Sequence, residues 1–159
     1  WTYGAYSAFG PDKFGGIFTA SAETRNEVTV PAIKEILAEI KRLREEPVPT
    51  EELGLQREYN VGNYLLSLEN AGRTAVRVQD IDLYGLPADY YKRYATRMAG
   101  VTSQDVQDLA KKYLSTENTA IVVVGKAEQI KAELEKLGPV KVYDTELEPV
   151  GAKPAPAAK

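Results

Sequence analysis

The sequence predicts an α+β fold in which a block of helices packs on a largely antiparallel sheet. Three features carry that reading: residues 2–24 pattern as strands, residues 29–113 show helical spacing in stretch after stretch, and an apolar β-branched run returns only at Ala120–Val124. Strand and helix patterns that segregate along a chain in this way mark the α+β class.

The elements follow in order. Tyr3, Ala5, Ser7 and Phe9 fall on one strand face with Trp1, and Thr2, Gly4, Tyr6 and Ala8 on the other. Pro11-Asp12-Lys13 followed by Gly15-Gly16 has turn chemistry, and Ile17–Thr24 completes an antiparallel hairpin over 2–24. Thr29 is placed as an N-cap with Pro31 in the first turn, and Ile33, Ile36, Leu37, Ile40 and Leu43 form one helical stripe that Pro47 and Pro49 end. Thr50-Glu51-Glu52 opens a second helix reaching about Leu68, with acidic residues where the macrodipole favours them.

Asn70, Ala71 and Gly72 interrupt the pattern, and Arg73–Tyr84 resumes it. Gly85-Leu86-Pro87 is a break, and Ala88-Asp89 leads into a helix bearing Tyr90, Tyr91 and Tyr94. Thr102-Ser103-Gln104-Asp105 resembles a capping box, with Val106, Leu109, Ala110 and Tyr113 at one-face spacing behind it. Ala120–Val124 reads as a strand buried on both faces, Gly125 as the turn into a helix bearing Ile130, Leu134 and Leu137, and Val140–Tyr143 as a last short strand.

With 159 residues, 43% of them apolar, the chain is long enough for one domain, and no apolar run approaches the ~18 residues that cross a bilayer. A net charge of −3 supplies no basic field, so neither nucleic acid nor an anionic membrane is an expected partner. Cys is absent, which removes disulfides and thiol chemistry; His is absent too. Imidazole is the commonest zinc ligand and the commonest general base near neutral pH, so a site built here must use carboxylates, Lys, Tyr or Ser.

Three constellations are candidates for chemistry. AIVVVGKAEQ passes from strand through Gly125 to helix but lacks the other glycines and the GK[ST] of a phosphate loop, so it reads as an ordinary junction. Glu51, Glu52, Asp80, Asp82, Asp105 and Asp108 lack a calcium-loop pattern and suit helix starts and surface positions. The ten tyrosines, Tyr3, Tyr6, Tyr59, Tyr64, Tyr84, Tyr90, Tyr91, Tyr94, Tyr113 and Tyr143, suit the rim of a core, where an amphipathic ring keeps its polar tip wet.

Taken in sequence, WTYGAYSAF…GGIFTASAETR, PVPTEEL, SLEN…YGLPADYYKRY, GVTSQDVQDLAKKYL and ENTAIVVVGKAEQIKAELEKLGPVKVYD resemble the second domain of the pitrilysin-type (M16) zinc metallopeptidases. The resemblance covers residues 1 to about 145 in order. It implies that residues 1–145 are a partial, metal-free domain whose first strand or strands and first helix lie upstream; outside the resemblance, composition reads 146–159 as a disordered Ala/Pro tail with too little to bury. In that family a Tyr, paired with an upstream Arg, faces the zinc site of the other domain or subunit. The matching position here is Tyr3, which the resemblance makes the catalytic candidate, with Gly4 and Tyr6 beside it as substrate-binding residues.

The family's HxxEH zinc motif cannot be in a chain without His, so zinc is expected in a partner domain or subunit, and no cofactor or metal ligand in these residues. The implied function is one wall of a chamber that takes unfolded or extended peptides, supplying Tyr3 to substrate binding and oxyanion stabilisation. The alternative is a non-proteolytic relative, a respiratory core-protein-like subunit or an inactive heterodimer mate. Expected partners are the HxxEH-bearing domain or subunit, extended peptides, and further copies of the chain through its uncovered strand edge. The resemblance suggests a bacterial, periplasmic setting, with a cytoplasmic one as the alternative.

Overall fold

A computed structural model of the chain describes residues 2–117 and 119–150. The expected strand position of Trp1 lies outside the described residues; of the expected 146–159 tail, residues 146–150 are described and lie in a turn and bridge, and the remainder lies outside. A two-stranded antiparallel sheet and six α-helices make the fold α+β.

Strands β1 (Thr2–Asp12) and β2 (Gly15–Thr24) form the hairpin expected from the alternation. Its turn lies later than the Pro11-Asp12-Lys13 signal suggests: β1 runs through Asp12, and Lys13-Phe14 alone makes the connection. This two-residue loop sets Phe9 across from Phe18, whose ring centroids are 4.9 Å apart. A cross-strand aromatic pair of this kind stabilises a hairpin by roughly 0.2–1 kcal/mol.

A 3-10 turn (Asn26–Val28) leads into α1 (Thr29–Glu45). Thr29 is therefore the first residue of α1 rather than its N-cap, and its hydroxyl donates to the Arg25 carbonyl at 3.3 Å. The anticipated stripe of Ile33, Ile36, Leu37, Ile40 and Leu43 is half-buried while the charged residues between them are mostly exposed. Helices α2 (Thr50–Ser67) and α3 (Ala71–Tyr84) follow. Asn70 does not merely interrupt: its side chain accepts from the Arg73 amide at 3.0 Å, so Ala71 and Gly72 become the first turn of α3. Gly85, at φ 62°, ends α3 in the left-handed conformation that glycine adopts without penalty.

Residues 88–93 are turns, and α4 spans Tyr94–Gly100, so Tyr90 and Tyr91 precede the helix expected to carry them. Helix α5 (Ser103–Tyr113) starts on the anticipated capping box, Thr102 accepting from the Asp105 amide while Asp105 accepts from the Thr102 amide. Its inward stripe is Val106 and Ala110, continued by Leu114 beyond the helix end, and Leu109 and Tyr113 point outward. Helix α6 spans Ala127–Leu134 and buries Ile130.

Ala120–Val124 is not a strand, and Val122 and Val124 are 88% and 98% exposed. A run buried on both faces needs a hydrogen-bonded neighbour on each side, and among the described residues none pairs with it. Val140–Tyr143 is reduced to a bridge between Tyr143 and Pro149, with Val150 donating to the Val142 carbonyl at 2.9 Å. Residues 144–148 form the turn that closes this bridge, Asp144 Oδ1 accepting from the amides of Glu146 and Glu148 at 2.9 Å each.

The residues group into two units. The first takes the described residues of 1–7, 20–36 and 120–159; the 3-10 turn contacts α6 there, and Val30 and Ile130 are buried. In it Asn26 Nδ2 donates to Gln129 Oε1 at 2.8 Å. The second takes the described residues of 8–19 and 37–119, with Leu53, Ala110 and Leu114 buried and α2 lying against α4. Ser103 Oγ donates to the Val48 carbonyl at 2.7 Å, and Arg57 donates to the Val101 carbonyl, so both ends of the 101–103 connection are tied to the α2 side of that unit.

Candidate functional site

Alternation along β1 divides the three residues singled out in the sequence. Tyr3 lies on one face of the strand; Gly4 and Tyr6, two apart, share the other. The Tyr3 side chain is almost wholly free, at 94% exposure, and Tyr6 is 69% exposed.

Gly4 and Tyr6 are in direct register. A Cβ placed on Gly4 would lie 2.6 Å from Tyr6 Oη and 2.9 Å from its Cε2 and Cζ, so the Tyr6 ring lies back over the glycine backbone in the space a side chain would fill. An aromatic ring laid on a strand glycine restores the packing that the missing side chain leaves open. A third residue joins them. Thr2 Oγ1 donates to the Gly4 carbonyl at 2.6 Å and accepts from the Gly4 amide at 3.0 Å. Alternation places Thr2 on this face but assigns it no role, because a Thr in a strand is ordinary; its i, i+2 spacing to a glycine is the available signal.

Chemically this surface can offer a phenol as a hydrogen-bond donor on the Tyr3 face. Among the described residues, no three Asp or Glu side chains converge to form a metal site, and zinc has no ligand set here. Asp105 is committed to the capping box, Asp108 accepts from Gln104 Nε2 at 2.9 Å, and Asp80 accepts from a tyrosine.

That tyrosine belongs to a node in the second unit that pattern reading missed. Tyr64 Oη donates to the Tyr91 carbonyl at 2.7 Å, and Tyr91 Oη donates to Asp80 Oδ2 at 3.0 Å. The Arg77 guanidinium sits 5.0 Å from the Tyr64 ring centroid and 5.9 Å from that of Tyr91, and donates to Ser67 Oγ, which itself donates to the Tyr64 carbonyl. Tyr94 stacks on Tyr64 at 4.4 Å. Burial, followed by the hydrogen bond to Asp80, pushes the Tyr91 phenol up to about 12. It is thus a neutral donor at any physiological pH, which suits a structural fastening between α2, α3 and the 88–93 turns rather than acid–base work.

An open recess at the α2–α3 elbow, lined by Asn63, Leu66, Ser67, Glu69, Asn70 and Arg73, adjoins this node. Its Arg73 amide is already occupied by the Asn70 cap. No protein-family model matches the chain, and no curated protein matches it significantly.

Proposed function

We propose that this chain is the metal-free part of a pitrilysin-type zinc endopeptidase, and that it contributes one wall of the peptide-binding chamber. The observation that carries the reading is the placement of Tyr3: the phenol that the WTYG stretch singles out stands uncovered on β1, free to reach a group outside its own unit. A buried Tyr3 would have argued against it.

On this reading Tyr3 Oη donates a hydrogen bond to the oxygen of the scissile carbonyl as negative charge develops there. Such a donor acts only if it is oriented beforehand, and removal of one typically lowers kcat by on the order of 10²–10³. The zinc and its activated water belong to the HxxEH-bearing partner, and nothing in these residues substitutes for them. Extended peptides are the substrate class, and in isolation the chain associates with copies of itself through uncovered strand surface.

The test is Tyr3→Phe, assayed together with the zinc-bearing partner on an extended fluorogenic peptide. The expected result is a kcat loss on the order of 10² with zinc content of the partner unchanged. A loss under about threefold removes Tyr3 from the chemistry and leaves the structural-subunit alternative.

A further inference from the structure

Tyr3 is followed immediately by glycine, the residue that tolerates the widest range of backbone angles, and a phenol hung beside such a hinge has no fixed direction. The structure closes the hinge from both sides. Thr2 Oγ1 reaches over Tyr3 to both the amide and the carbonyl of Gly4, so the closed ring contains the φ and ψ of Tyr3 itself. Beyond the glycine, the Tyr6 ring covers the backbone so closely that no Cβ fits. Neither contact uses the Tyr3 side chain, which they leave free.

We infer that Thr2 and Tyr6 are positioning residues for Tyr3: the Thr2 hydroxyl fixes the backbone around it, and the Tyr6 ring, seated on Gly4, holds the next peptide in the same extended form. The catalytic part of this inference rests on the proposed role of Tyr3; the mechanical part does not. An oxyanion donor misplaced by about 1 Å can lose up to on the order of 10² in rate, so fixing the backbone from which the Tyr3 ring extends narrows the region its phenol can reach. A side chain at position 4 would displace the Tyr6 ring, which is exposed enough to swing away, and the strand would survive without its cover.

The mechanical part is read by backbone ¹⁵N relaxation on the whole chain, which needs no partner. With the clamp intact, the Tyr3 and Gly4 amides have order parameters near about 0.85; in Thr2→Val they fall below about 0.6, and in Thr2→Ser, which keeps the hydroxyl, they recover. Gly4→Ala abolishes the nuclear Overhauser contacts between the Tyr6 ring and residue 4. Equal order at Tyr3 in Thr2→Val and Thr2→Ser, or no contact between the Tyr6 ring and the Gly4 α-protons in the unsubstituted chain, overturns the clamp. With the zinc-bearing partner and the same peptide, Thr2→Val lowers kcat about two- to fivefold with KM within about twofold, and Thr2→Ser restores it. Full kcat in Thr2→Val alongside a deficient Tyr3→Phe overturns the positioning role. Full activity in Tyr3→Phe removes the catalytic reading alone, and the relaxation data still decide the clamp.

Discussion

The phenolic hydroxyl of Tyr91 donates to Asp80 Oδ2 at 3.0 Å, joining the turns after α3 to the body of that helix. Burial and then this bond hold the phenol in its neutral form, because ionisation would leave a poorly solvated charge, place it in contact with a second negative one and break the donor. Tyr91→Phe keeps the ring and loses the bond, and is expected to lower unfolding stability by about 0.5–1.5 kcal/mol in urea titration. The sign on the alkaline side follows from the raised value. The unfolded tyrosine ionises near 10 and the folded one near 12, so the stabilisation is complete below pH 10 and declines as pH rises from 10 through 12. In Tyr91→Phe that part of the decline should be absent, and an unchanged slope would show that the phenol titrates as an exposed one.

Arg77 has a role no lysine can copy. Its planar guanidinium lies over Tyr64 and Tyr91 while donating to Ser67, an arrangement that combines stacking with a directed hydrogen bond. Arg77→Lys retains the charge and is expected to cost about 1–2 kcal/mol, close to the loss in Arg77→Met. Thermal unfolding of both variants checks this. If Lys proves as good as Arg, the node is held by charge alone.

Helix α5 rests on its first turn. Thr102→Ala removes the side-chain acceptor for the Asp105 amide and the hydroxyl that donates to Asp105 Oδ2, and is expected to destabilise by about 1 kcal/mol. The Thr102 side-chain and backbone hydrogen bonds hold the Asp105 carboxyl below its usual range. For a depressed carboxyl the contribution is present above the unfolded value of 3.8 and lost as pH falls through the folded one. Acid unfolding followed by circular dichroism should therefore show the stability of the unsubstituted protein falling as pH drops below 3.8, a part of the pH dependence that Thr102→Ala should flatten.

Local signals were legible in the sequence and non-local ones were not. The hairpin, the half-buried stripe of α1 and the Thr102 capping box depend on residues within a few positions of one another, and all three are present, the hairpin with its turn moved on to Lys13-Phe14. Ala120–Val124 has the composition of a strand, but a strand exists only with a hydrogen-bonded neighbour, which composition cannot supply. The Tyr64, Arg77, Asp80 and Tyr91 node joins residues 27 positions apart, so its members looked like a scatter of rim tyrosines and surface charges. Of the candidate site, the resemblance points to Tyr3, Gly4 and Tyr6, whereas the Thr2 bridge to Gly4 depends on the local geometry of the strand, which spacing alone does not specify.

The turn at 144–148 contains a leucine in an uncomfortable place. Leu147 has φ 64°, the left-handed region that crowds a Cβ against the backbone, and its side chain is exposed and gains nothing in return. Asn tolerates that conformation better, so Leu147→Asn is expected to stabilise the turn by several tenths of a kcal/mol. Slower hydrogen exchange at the Val150 amide, which donates to Val142 across the bridge, is the readout. Unchanged exchange would mean that the bridge does not depend on the turn.

Uncovered strand surface carries a further consequence. The hairpin is two strands only, too few to be stable alone, and Val122 and Val124 lie in an uncharged β-branched run with no neighbour to pair with among the described residues. A segment with those properties is a template for another chain, so the purified protein should associate as concentration rises, which static light scattering measures directly. Replacing Val122 and Val124 with Lys places like charges on any two copies that pair there and should shift the mass toward the monomer without loss of helical circular dichroism. Should the double variant associate as strongly as the parent, the contact lies on the hairpin instead, and Phe14→Lys and Ile17→Lys, both at exposed positions, become the variants that release it. A monomer at every concentration would show that two strands suffice, with Phe9 and Phe18 supplying the packing a third strand would otherwise bring.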